Sequence, residues 1–144
     1  MLALIAIVAA GFFAGAAVYI TFVEHPARTE AGTAAALAEF APSYRRATRM
    51  QASLAVVGCV SALGAWLGGA GLAFLLGGLL LGAVVPFTLV VIYPVNERLL
   101  DPALAPDSFE AVELLARWGL LHTVRSVLGT LAFLIELIAF RTGH

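Results

Sequence analysis

Residues 71–93 read GLAFLLGGLLLGAVVPFTLVVIY, a run of 23 residues without one charged side chain. About 20 apolar residues are enough for a helix to cross ~30 Å of hydrocarbon. Three further blocks, residues 1–23, 50–67 and 118–140, are similarly apolar. The sequence therefore predicts an all-α integral membrane four-helix bundle, a single transmembrane domain over residues 1–144. We expect the first block to be a retained span, because it lacks a basic n-region and is too long for a signal-peptide core.

The composition excludes several classes of function. Hydrophobic residues make up 62% of the chain and charged residues 12%, with a net charge of -1. Soluble domains carry about 25% charged residues, and nucleic-acid binding requires a basic surface, so neither class fits. The single cysteine, Cys59, excludes a disulfide framework and a cysteine-based zinc site. No flavin, haem or nucleotide motif is present, so any cofactor is unknown at this stage.

Charge is concentrated in the two long connections, residues 24–49 and 94–117. Six arginines lie there, against only Arg141 on the opposite face. The positive-inside rule then predicts a multi-pass protein of the cell membrane with both long loops in the cytoplasm and both termini outside. Tyr44, Tyr93 and Trp118 are predicted at the inner interface and Trp66 at the outer one.

Both long connections are predicted to contain short cytoplasmic helical segments. The Ala-rich stretch TEAGTAAALAEF (residues 29–40) predicts a short helix that ends before Pro42, and Ser43 is a candidate cap for the second long helix. In the other connection, Asp107 followed three residues later by Glu110 resembles a capping box. The fourth helix is therefore expected to begin near Asp107.

Polar residues inside the spans follow helical spacing. In the fourth span, steps of three and four residues place His122, Arg125, Gly129, Ala132 and Glu136 on one stripe. A stripe in the first span runs through Gly11, Ala14, Val18, Thr21 and His25. With inward-facing stripes, one pocket open to the cytoplasmic side gathers His25, Gln51, Thr88, Asn96, His122 and Arg125. Glu136 lies apart, near Arg141, and a structural role is expected for it.

Such a pocket suits proton abstraction from an apolar substrate. A neutral histidine in a low-dielectric site can act as a general base, and a nearby arginine can stabilise the resulting anion. Two other interpretations stay open. His25 and Asn96 lie at helix ends and could simply face water, and His25 with His122 could hold a transition metal, with Glu24 or Asn96 as third ligand. No HxxxH or ExxH spacing supports the metal site.

Three motifs resemble those of the anthrone oxygenase-like family of small four-span membrane proteins. They are FVEHPA (residues 22–27), PFTLVVIYPVNERL (86–99) and RWGLLHTVRSVLG (117–129). The resemblance implies a membrane-embedded oxidoreductase, a cofactor-poor monooxygenase acting on an anthrone- or quinol-like aromatic. It implies a base that removes an acidic ring proton, an arginine that holds the anion, and dissolved O2 that adds to the carbanion. The working residues that it implies are His25, Asn96, Trp118, His122 and Arg125.

Combined with the stripes, this gives three candidate catalytic residues and four candidate substrate-binding residues. The catalytic candidates are His25, His122 and Arg125, and the binding candidates are Gln51, Thr88, Asn96 and Trp118. The expected partners are the lipid bilayer and a small apolar substrate or lipid. Two alternatives stay open: a non-enzymatic lipid- or quinone-binding membrane protein, and a structural subunit of a membrane complex. Three GxxxG pairs also leave a homo-oligomer open.

Overall fold

A computed structural model describes residues 1–143 as four long helices joined by short connections. We number them α1 (Leu2–Glu30), α2 (Thr33–Leu67), α3 (Leu72–Leu99) and α4 (Phe109–Thr142). Each is long and apolar enough to cross a membrane, and the described residues contain no strand. The predicted all-α architecture, with four helices that could each span a membrane, is confirmed, and it suggests a multi-pass membrane protein.

The first connection is far shorter than predicted. Only Ala31 and Gly32 separate α1 from α2, and Pro42 lies inside α2 rather than ending a helix before it. The separate short helix at residues 29–40 and the capping role of Ser43 are therefore wrong. Gly32 makes the turn instead, with a φ of +96°, a conformation that glycine adopts without the steric penalty of a Cβ.

The start of α4 differs from the prediction by one residue. Ser108 is the N-cap, and its hydroxyl oxygen accepts a hydrogen bond from the backbone N–H of Ala111 at 3.1 Å. Glu110 does not complete a capping box with Asp107, because its carboxylate accepts from the guanidinium of Arg98 at 2.7 and 3.1 Å. This ion pair ties the end of α3 to the start of α4.

Two π-helical turns interrupt the odd-numbered helices, at Ile20–Glu24 in α1 and Thr88–Ile92 in α3. Each turn is followed directly by an X-Pro pair, His25-Pro26 and Tyr93-Pro94. Proline has no N–H and crowds the carbonyl one turn earlier, and the wider π turn accommodates it. A π turn adds one residue to the turn, so it rotates every later side chain around the helix axis.

The helices pack in a ring in which each contacts its neighbours in sequence and α4 closes onto α1. Three apolar clusters fill the interior from one end to the other, and small residues such as Ala10, Ala17 and Ala132 let the backbones approach closely. Large apolar side chains point outward, with Phe12, Leu89 and Leu120 more than half exposed. An apolar exterior of this kind suits contact with lipid.

Candidate functional site

Trp118 is the centre of the polar site. Its indole is buried, and its Nε1–H donates to the Oδ1 of buried Asn96 at 2.8 Å. The imidazoles of His25 and His122 pack against it, with ring centroids 5.1 and 4.8 Å away. Trp118 thus faces the interior of the bundle and not its outer surface. The indole packs into the bundle because Asn96 satisfies its only donor.

His25 reaches this centre because α4 has no side chain opposite it. A Cβ at Gly119 would lie 2.5 Å from His25 Nε2, so only glycine allows the present approach. The His25 Nδ1 atom is buried and has no hydrogen-bond partner among the described residues. The structure thus places His25 beside Trp118, whereas the sequence also allowed it to face water.

A chain of hydrogen bonds surrounds His122. The Thr21 hydroxyl lies 3.1 Å from His122 Nδ1 and 2.7 Å from the Ser126 hydroxyl. Ser126 also lies 3.0 and 3.1 Å from the carbonyl oxygens of Ala17 and His122, which can only accept. One assignment fits this chain of contacts: with one proton per hydroxyl, Ser126 donates to a carbonyl and accepts from Thr21. In that assignment Thr21 accepts from His122 Nδ1–H, and the lone pair of a neutral imidazole lies on Nε2.

Arg125 reaches across the bundle to α2. Its Nη2 donates to the Oε1 of Gln51 at 2.7 Å, and its guanidinium lies 5.7 Å from the ring centre of Phe13. Gln51 is only 2% exposed. Among the described residues, neither Arg125 Nε nor Gln51 Nε2 has a hydrogen-bond partner. Two donors in the bundle interior are thus left without an acceptor.

Arg28 also belongs to the site, although it was predicted to lie in the connection of residues 24–49. It is buried, forms an ion pair with Glu24, and its Nε lies 2.7 Å from a carboxylate oxygen of Glu39. Ser43 donates to Glu24 at 2.8 Å, and the Arg28 guanidinium lies 5.7 Å from the Trp118 ring centre. The spacing of Glu24 and Arg28, four residues apart on one helix, was the available signal.

The single predicted pocket is divided into two. An inner chamber of about 20 Å³ is lined by residues that include Arg28, Gln51, Trp118, His122 and Arg125. That volume holds roughly one water molecule, which needs about 10–15 Å³. His25 and Asn96 are partners of Trp118 and not part of this wall. The pocket is small because the indole of Trp118 fills much of the space between the helices where the pocket was predicted.

A second space, the α2–α3 cavity, has a volume of about 100 Å³. Thr88 lines it together with Ala52, Val85 and Leu89, and Gln51 and Arg125 line both this cavity and the inner chamber. The Thr88 hydroxyl donates to the Val84 carbonyl at 2.7 Å, so its proton is already used. The Gln51–Arg125 pair therefore belongs to the wall of both spaces.

The ligands considered for a metal are not assembled. Among residues 1–143, no three His, Cys, Asp or Glu side chains form a group that could hold a metal ion. Both third-ligand candidates are engaged elsewhere, Glu24 by Arg28 and Ser43 and Asn96 by Trp118. These contacts engage Glu24 Oε1 and Asn96 Oδ1.

Glu136 also differs from expectation. It is fully buried, and both carboxylate oxygens lack a hydrogen-bond partner among the described residues, whereas Arg141 is exposed. The expected proximity of a charged partner is not seen. The Glu136 side chain packs against the backbone of Gly77, and a Cβ at Gly77 would lie 2.5 Å from Glu136 Cγ.

The fold and the site together define a small helical membrane-type protein that buries an imidazole, an indole and a guanidinium in one layer. The sequence profile of the anthrone oxygenase family matches residues 40–135. The chain is also 31% identical over 133 residues to anthrone oxygenase tpcL of Aspergillus fumigatus, covering 85% of this chain and 82% of that protein. The chain belongs to the anthrone oxygenase family. No solved structure matches it.

Proposed function

We propose that this protein is a membrane-embedded, cofactor-poor oxygenase that converts an anthrone- or quinol-like aromatic by proton abstraction and addition of O2. Membership of the anthrone oxygenase family supports an oxygenase-type function. The substrate, the mechanism and the membrane location are our proposals. The observation that carries the mechanism is the 3.1 Å contact between His122 Nδ1 and the Thr21 hydroxyl. With the hydrogen on Nδ1, Nε2 is the atom that accepts a proton.

The proposed chemistry begins with a ring methylene that is acidified by a carbonyl group. His122 Nε2 takes one proton from it, directly or through a single water in the inner chamber. Arg125 and Gln51 stabilise the negative charge that moves onto the substrate oxygen, because their donors are already in position.

O2 then adds to the carbanion and forms a peroxide, which takes up a proton. Loss of water with the second methylene hydrogen leaves a carbonyl. Overall, CH2 and O2 give C=O and H2O, and the four electrons that O2 accepts come from the methylene carbon. No external reductant is required, so the chemistry does not depend on a flavin or nicotinamide.

The test is O2 uptake by the purified protein in lipid vesicles supplied with anthrone, after subtraction of spontaneous oxidation in protein-free vesicles. His122→Gln keeps the size and polarity of the side chain but removes the basic nitrogen. Because a general base contributes about 10²- to 10⁴-fold, we expect kcat/KM to fall at least a hundredfold. Arg125→Lys keeps the charge but loses the planar fork, and we expect a similar loss.

Glu136→Gln is the matched control, because it changes another buried polar side chain of α4 far from Trp118. It should retain wild-type O2 uptake. Wild-type turnover in His122→Gln would contradict the role of His122 as base. If wild-type protein oxidises no anthrone but binds a quinone, the alternative of a non-enzymatic quinone-binding protein is favoured.

We further infer that the end of the bundle carrying the α1–α2 turn and the α3–α4 connection faces the cytoplasm, because six of the eight arginines lie within residues 24–49 and 94–117, in the half of the bundle nearest that end. In a Cys59→Ala background, Asp107→Cys and Thr142→Cys mark opposite ends of α4, and both positions are exposed. An impermeant thiol reagent added to intact cells should label Thr142→Cys alone. Labelling of Asp107→Cys instead would reverse the topology.

A further inference from the structure

The α2–α3 cavity has a polar inner end and an apolar mouth. At the inner end, Gln51 and Arg125 contribute donors, and at the mouth Ala52 and Leu89 are exposed on the outer surface of the bundle. An opening between two apolar helices faces the hydrocarbon when the bundle is in a membrane. A solute dissolved in the bilayer can therefore enter without crossing the charged end.

The unpaired donors specify what the polar end binds. Arginine can only donate, so the Gln51 oxygen must face Arg125, as the 2.7 Å contact shows. The amide nitrogen then presents two hydrogens that no described residue accepts, and Arg125 Nε is likewise unpaired. Buried donors without partners are destabilising. An acceptor oxygen on a ligand would satisfy both, and it would offset the positive charge if it were anionic.

The size of the cavity limits what can enter. A dry cavity of ~150 Å³ binds benzene, so a space of about 100 Å³ accepts the edge of a single ring. The rest of a larger aromatic would remain between α2 and α3 at the mouth. Apolar walls formed by residues such as Phe13 and Val85 favour a ring over a charged or sugar-like group.

We propose that the α2–α3 cavity is the substrate entrance and binding site, occupied by a flat aromatic whose carbonyl or phenolate oxygen leads. The oxygen accepts hydrogen bonds from Gln51 and Arg125, and this contact stops the ring at the wall shared with the inner chamber, where His122 lies. The proposal rests on the proposed function for its link to turnover, but binding through this cavity can be measured separately.

The probe is 1,8-dihydroxyanthraquinone, titrated into the protein in lipid nanodiscs, with saturable quenching of tryptophan fluorescence as the signal. Ala52→Phe places a ring in the mouth and should weaken binding at least tenfold. Gln51→Leu removes the amide donors and should weaken it about tenfold, the equivalent of one or two hydrogen bonds. Val57→Phe is the control, because it adds the same ring to a half-exposed position of α2 outside the cavity wall.

Measuring turnover as well as binding separates a failure of this inference from a failure of the proposed function. Weakened binding in Ala52→Phe and Gln51→Leu, with Val57→Phe unchanged, supports the entrance even if no anthrone is oxidised, in which case the proposed function alone fails. Wild-type binding and wild-type kcat/KM in Ala52→Phe would overturn the entrance even if anthrone is oxidised. The absence of saturable binding by the wild-type protein would also overturn it. Ala52→Phe keeps the test decisive if Gln51→Leu fails to fold.

Discussion

Replacing Gly119 with alanine tests whether the reaction rate depends on the close approach of His25 to α4. The new Cβ would lie 2.5 Å from His25 Nε2, whereas ordinary contacts begin at 3.4 Å. The imidazole must therefore retreat by about 0.9 Å, the difference between the two distances. The ring centroids of His25 and Trp118 are 5.1 Å apart, so the indole is expected to move with the imidazole. A misplacement of ~1 Å can cost about 10²-fold in rate.

The effect on stability should be smaller than the effect on rate. Overpacking costs about 1–3 kcal/mol, and alanine regains about 1 kcal/mol of helix propensity over glycine. Gly119→Ala should thus lower the free energy of unfolding by about 0–2 kcal/mol while kcat/KM falls roughly a hundredfold. Gly15→Ala is the control, because no atom lies within 4 Å of its new Cβ.

A double-mutant cycle isolates the contact. His25→Ala removes the ring that clashes with the new Cβ, so Gly119→Ala in that background should be neutral or stabilising. The coupling energy should then be about 1–3 kcal/mol, measured by equilibrium unfolding in mixed micelles. A coupling energy near zero, or equal destabilisation by Gly119→Ala in both backgrounds, would refute the packing argument. Full activity in Gly119→Ala would refute a catalytic role that requires the present position of His25.

Three further outcomes are expected from single changes. Thr21→Val removes the hydroxyl beside His122 Nδ1 and should lower kcat at least tenfold, because the imidazole then loses the contact that sets its tautomer, while Thr21→Ser, which keeps the hydroxyl, should restore most of it. Trp118→Phe leaves the buried Asn96 oxygen without its donor and should destabilise the protein by about 1–3 kcal/mol in the same unfolding assay. Arg98→Gln breaks only solvent-exposed ion pairs, so the free energy of unfolding should fall by less than about 1 kcal/mol and O2 uptake should not change.

The sequence predicts α4 well because that helix has no π turn. Its buried face includes His122, Gly129, Ala132 and Glu136, four members of the predicted stripe. Ser126 was missed, although it lies four residues after His122, because a serine in an apolar run gives no distinct signal. The four long apolar helices were predictable for a related reason, since hydropathy over about 20 residues does not depend on helix phase.

The sequence predicts α1 less well. The predicted stripe correctly buries Ala14, but Val18 is 36% exposed, and the buried face also passes through Phe13, Ala17 and Ile20. The stripe continues to Arg28, three residues after His25, and Arg28 is indeed buried. It was not predicted as a site residue because the first span was expected to end at residue 23, which assigned Arg28 to the connection. The helix boundaries at Gly32 and Ser108 differ from the predicted ones because several nearby residues can also end or cap a helix.

Arg125 gives the strongest reason to regard this layer as functional. A guanidinium has five N–H donors and a permanent charge, yet the side-chain acceptor found for it among the described residues is the neutral Gln51 oxygen. The carboxylates of Glu24 and Glu39 pair with Arg28 instead, so Arg125 keeps an uncompensated charge. Replacing both partners of a buried hydrogen bond with apolar groups of similar shape can be nearly neutral or stabilising. The double variant Gln51→Leu with Arg125→Leu should therefore have a free energy of unfolding in mixed micelles at least as large as that of the wild type, while losing O2 uptake. A clearly lower free energy of unfolding would mean that the pair stabilises the fold.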